Sequence, residues 1–132
     1  MTRWTCPKCG RELARAGEPH ACADPDPAEA VIAAWPEANR AIYARLVERL
    51  GPVRAEPART GVALRARRKF AEVRPRPRGV SLELALPRPV AHKLLARTFA
   101  VPGGRTVHSF RLSRPEDVDE LILAWLVEAR DA

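Results

Sequence analysis

Residues 79–86 read GVSLELAL, and from Val80 onward the apolar side chains fall on every second position. Val80, Leu82, Leu84 and Leu86 take one side, and Ser81, Glu83 and Ala85 take the other. A period of two belongs to a β-strand with one buried face, and no amphipathic helix reproduces it. Two further segments repeat the pattern. GVALRAR (61–67) sets Val62, Leu64 and Ala66 against Ala63, Arg65 and Arg67, and TVHSFRL (106–112) puts His108, Phe110 and Leu112 on one side. KFAEV at 69–73 is a shorter strand candidate, the prolines at 75, 77, 87 and 89 mark turns or edges, and PGGRT at 102–106 reads as a hairpin turn. Together they predict an antiparallel sheet covered on one face.

The segments flanking these strands change period. From Pro36, Ala38, Ile42, Leu46 and Leu50 recur every four residues with Tyr43 and Val47 beside them, until Gly51 and Pro52 stop the helix. At the other end, Ser113 and Glu116 fit a capping box around Pro115, and Val118, Leu121, Ile122, Trp125 and Leu126 form an apolar stripe. Asp117, Asp119 and Glu120 suit the positive end of that helix's dipole. The fold class expected is therefore α+β, with helices packed on one sheet face.

All three cysteines lie within CPKCGRELARAGEPHAC, residues 6–22, together with His20. Cys6 and Cys9 flank a Pro-Lys pair and precede Gly10. That turn aims backbone N–H groups at thiolates. His20 and Cys22 project to one side of an extended segment. Three thiolates and one imidazole form a closed tetrahedral set for structural Zn2+, with no open position for a substrate water. The alternatives explain less. A Cys6–Cys9 disulfide strands Cys22, haem attachment needs a His where Gly10 stands, and a redox CxxC needs a strand that MTRWT makes poorly. The expected organisation is a zinc-binding module at 1–25 and an α+β domain at 26–132, with ADPDPAEA (23–30) as the linker or turn between them.

No apolar run reaches the ~18 residues of a membrane span, and MTRWTCPKCG lacks the apolar run of a signal peptide. A cytoplasmic location is expected, where thiols stay reduced. The formal charge is +7, a field that attracts polyanions. Arginine outnumbers lysine 20 to 3, which a gene of high G+C content also produces. The excess is concentrated: Arg54, Arg59, Arg65, Arg67, Arg68, Lys69, Arg74, Arg76 and Arg78 stand against only Glu56 and Glu72.

Material for an active site is sparse. Between Gly51 and Leu112 the acids are Glu56, Glu72 and Glu83, and no serine lies in a GxSxG elbow. His108 reads as a hydrogen-bonded core or edge histidine and His92 as a surface residue. An enzymatic alternative places a cryptic site around Glu83 and His108.

The zinc segment, with FAEVRPRPRGVSLELALPRPV and VHSFRLSRPEDVDELILAWLVEAR, resembles a small bacterial domain-of-unknown-function family, number 5655, and the Cys-Cys-His-Cys finger that precedes it. The family often has an aromatic at Leu13, Asn-Gln and an aromatic across Gly17, Glu18 and Pro19, and Tyr at Arg130. None of these is a metal ligand. The resemblance implies an α+β body behind a zinc module and carries no activity with it. The function expected is non-enzymatic binding of nucleic acid through backbone phosphates, with low sequence specificity. Arg65, Arg67, Arg68, Lys69, Arg74, Arg76 and Arg78 are the expected contacts. The alternative is a protein-interaction or regulatory module, dimeric or facing an acidic protein partner.

Overall fold

A computed structural model of the chain describes residues 4–5, 12–13 and 27–132. Cys6, Cys9, His20 and Cys22 lie outside the described residues. β1 (Trp4–Thr5) and β2 (Glu12–Leu13) pair antiparallel, with Thr5 opposite Glu12. Then follow α1 (Pro27–Ala33), α2 (Glu37–Val47), β3 (Arg54–Pro57), β4 (Val62–Arg65), β5 (Lys69–Pro75), β6 (Val80–Leu86), β7 (Leu95–Val101), β8 (Arg105–Leu112), a 3-10 turn (Pro115–Asp117) and α3 (Glu120–Asp131). β3 to β8 form a six-stranded antiparallel sheet in the order β3-β4-β5-β6-β8-β7.

The period-two segments set the layers. Val62, Leu64, Val73, Leu82, Leu84 and Phe110 are at most 1% exposed and share one hydrophobic cluster with Trp35, Ile42, Leu46, Ile122 and Leu126 of the helical layer. Alternation turns the residues between them to the opposite face, which bears no helix among the described residues. Phe110 is the largest fully buried side chain, and cutting a core Phe to Ala typically costs ~3–5 kcal/mol. Its ring centroid lies 6.1 Å from that of Trp125 and 5.6 Å from that of His92.

Several expectations are corrected. Residues 27–30, read as linker, open α1: Pro27 fits a first turn, where its missing N–H costs nothing, and Ala and Glu sustain the helix. In α2, Asn39 and not Ala38 faces inward. Its Nδ2 donates to the Arg76 carbonyl and its Oδ1 accepts from the Gly79 N–H, each at 3.0 Å. A polar residue is buried there because it satisfies the β5–β6 turn. Gly79 has φ +85°, and a Cβ there would meet the Leu112 carbonyl, so no other residue suits the turn.

The Ser113–Glu116 box gives way to a different cap. The Asp117 carboxylate accepts from the Ser113 and Arg114 N–H groups, and α3 itself starts later, with Asp119 accepting from the Ile122 N–H at 3.0 Å. Starting there rotates the stripe: Leu123 is buried and Leu121 is 54% exposed.

His92, expected at the surface, has a side chain only 3% exposed. Its Nδ1 accepts from the Leu94 N–H, so Nε2 carries the proton and donates to Asp119 Oδ2 at 2.7 Å. Both ring nitrogens are thus committed to holding residues 87–94 against α3. Arg130 donates to the Leu50 carbonyl at 2.7 Å and ties α3 to the segment just after α2.

Candidate nucleic-acid interface

The helix-free face is a grid whose rows follow from strand register. Glu56, Ala63, Glu72, Glu83, Ser109 and Arg97 stand opposite one another in turn across all six strands. The neighbouring row holds Arg74, Ser81 and Arg111. β8 and β7 therefore bring Arg111 and Arg97 onto the face that carries Arg74 of β5, although the chain separates them by more than twenty residues. Both lie outside the basic 54–78 segment, and only the β6-β8-β7 order brings them to it.

Within the row of acids, charges are largely matched. Arg65 Nε donates to Glu56 at 2.9 Å, Lys69 Nζ to Glu72 at 3.1 Å, and Arg74 Nε to Glu72 at 3.0 Å. Arg74 Nη2 also donates to Glu83, and Arg97 Nη2 lies 3.9 Å from the other Glu83 oxygen. Burial opposes ionisation of Glu72, but Lys69 and Arg74 outweigh it and hold the carboxyl below the usual range.

Toward the Glu83–Ser109–Arg97 end of that row the balance becomes cationic. Arg74, Arg76, Arg97 and Arg111 line a cleft of about 250 Å³ together with Ser81, Ser109 and Glu83. Four guanidinium groups meet one carboxylate there. Ser81 is 9% and Ser109 8% exposed, so their hydroxyls sit at the cleft floor. Arg76 Nη1 donates to Ser81 Oγ at 3.0 Å. Neither Arg76 nor Arg111 has a carboxylate partner among the described residues. Such a concave array of donors, with hydroxyls below, suits a tetrahedral oxyanion.

The seven expected contact residues are thereby divided. Arg65, Lys69 and Arg74 belong to the matched network. Arg76 joins the cleft. Arg78 is exposed in the β5–β6 turn at that same end of the sheet. Arg67 and Arg68 lie in the β4–β5 turn at the opposite end and border a separate cavity with Ala132.

The enzymatic alternative meets a geometric obstacle. Glu83 pairs across the sheet with Ser109, while His108 pairs with Leu84, so the two side chains leave opposite faces. His108 is fully buried, and its Nε2 accepts the Val90 N–H at 3.0 Å. Burial lowers its pKa, and the Leu84 and Thr106 carbonyls only partly oppose this. No group of three or more His, Cys, Asp or Glu side chains able to hold a metal occurs among the described residues. Nor is any helix among them long and apolar enough to cross a membrane.

Residues 28–131 match the family described as Domain of unknown function (DUF5655), and the chain belongs to that family. No curated protein and no solved structure matches it.

Proposed function

We propose that this protein is a non-enzymatic, zinc-containing module that binds nucleic acid through its phosphate backbone with weak sequence preference. The observation that carries this reading is the cleft in which Arg76 and Arg111 stand without carboxylate partners among the described residues, flanked by Arg74 and Arg97. Phosphates accept bidentate guanidinium donation, and each contact releases counterions from the nucleic acid. Backbone contacts carry no base information, which accounts for low specificity.

Cys6, Cys9, His20 and Cys22 are the proposed zinc ligands. The pairing of Thr5 with Glu12 supports this, because the two strands bracket the stretch that carries Cys6 and Cys9. Three thiolates and an imidazole fit zinc in both number and softness. The metal would supply folding energy to a segment too short for a core of its own, with no part in a reaction.

The test is binding of the full chain to labelled generic DNA and RNA, single-stranded and duplex, over a salt series. Micromolar or tighter binding that weakens steeply with salt is expected. Absence of binding at low salt overturns the reading.

A further inference from the structure

Next to the arginine cleft, on the same sheet face, lies a groove of about 340 Å³ whose apolar wall is Phe70, Ala85, Phe99, Val101, Pro102 and Val107 and whose charged lining is Lys69, Glu72, Glu83 and Arg105. Glu83 lines both cavities, so the two are neighbours on this face. Phe70 is 2% exposed and unavailable to a ligand's face, whereas Phe99 is 42% exposed. The Arg97 guanidinium sits over the Phe99 ring, 5.6 Å from its centroid. It caps one side of the ring and links the groove to the cleft that Arg97 also lines. From Val107 through Ser109 to Arg111, β8 advances ~7 Å for every two residues, a spacing on the scale of neighbouring nucleotides.

We infer that the groove takes an unpaired base stacked on Phe99 while the cleft holds its backbone phosphates, which makes the preferred ligand single-stranded nucleic acid. This rests on the phosphate-binding reading above and narrows it. The occupant is argued from charge. A largely apolar slot beside a cleft of four guanidinium groups, joined to it by Arg97 over the Phe99 ring, suits a ligand that is flat and apolar at one point and anionic at the next. A duplex offers no free base face to Phe99, because its bases are stacked on one another and only their edges reach the grooves. The arrangement is sequence-tolerant, since every base has a π-face.

The experiment measures affinity of a labelled oligothymidylate and of a duplex of equal length for four full-length proteins: wild type, Phe99→Ala, Phe99→Trp, and the Arg76→Ala/Arg111→Ala double variant. Far-ultraviolet circular dichroism confirms folding, and light scattering reports mass. Phe99→Ala is expected to weaken the single strand at least ~5-fold, with the salt slope and duplex binding unchanged. Phe99→Trp should restore the affinity and show indole quenching on binding. Equal single-strand affinity of Phe99→Ala and wild type, with the double variant impaired, overturns the stacking site and leaves the phosphate reading intact. A wild-type protein that binds neither probe overturns both. A wild-type dimer that Phe99→Ala converts to monomer assigns the groove to a second copy of the chain and also overturns the inference.

Discussion

Asn39 of α2 and Gly79 of the β5–β6 turn, forty residues apart, are joined by a 3.0 Å hydrogen bond from the Gly79 N–H to Asn39 Oδ1. The same side chain donates to the Arg76 carbonyl, so one buried amide fixes both ends of the turn that presents Arg76. Asn39→Ala leaves a buried N–H and C=O unpaired, and each such group costs ~1–3 kcal/mol. A loss of about 2 kcal/mol or more in urea unfolding is expected, with weaker nucleic-acid binding even where the variant is fully folded. Unchanged stability would show that water replaces the amide.

The two arginine groups should separate by salt dependence. Arg76→Ala with Arg111→Ala removes the cleft cations that have no carboxylate partner among the described residues, and should lower the slope of log K against log salt by about 1.5. Arg67→Ala with Arg68→Ala removes equal charge at the other end of the sheet and should change the slope less. If the second pair has the larger effect, the nucleic acid runs past the β4–β5 turn and not across the cleft.

Glu83→Gln tests the same site with the opposite sign. It deletes the carboxylate of the cleft and frees Arg74 Nη2 and Arg97 Nη2 for a phosphate. Affinity for single-stranded DNA should rise about threefold at low salt. Folding should be retained, because Glu72 still holds Arg74. A fall in affinity would mean that Glu83 positions the arginines more than it repels the ligand.

His108 and Glu72 make stability fall in acid. The folded protein keeps His108 neutral, since burial lowers its pKa from the ordinary 6.5. The unfolded chain therefore binds the extra proton first, and stability declines as pH drops below about 6.5. Glu72, held below its ordinary 4.5 by Lys69 and Arg74 against the effect of burial, adds a second decline as pH falls below about 4.5. Denaturation midpoints measured from pH 8 to pH 3 should trace both. Glu72→Gln should remove part of the lower decline and leave the upper one.

Metal analysis of protein purified without chelator should find one zinc per chain, and chelation should expose three reactive thiols. A metal-free protein with unreactive thiols rules out the Cys6, Cys9, His20 and Cys22 site.

Local pattern was enough for the central strands, for α2 and for the hairpin turn at Gly103 and Gly104, because alternation and turn chemistry act over a few neighbouring residues. β3 and β7 escaped notice. They are the edge strands of the sheet, and β7 is exposed along almost its whole length, so burial imposes no period-two contrast on it. Asn39 falls outside the apolar spacing of α2, and the β5–β6 turn that bonds it lies about forty residues away. Arg54 to Arg78 read as a single basic run, yet hairpin geometry sends Arg67 and Arg68 to one end of the sheet and Arg76 and Arg78 to the other. The cleft needs Arg97 and Arg111 as well, and only the pairing of β8 with both β6 and β7 places them there. The amino-acid sequence thus determined which segments are strands and which face of each is apolar, since those depend on local spacing. Tertiary structure decided which cations are neutralised and which converge, since that depends on register between strands distant in the chain.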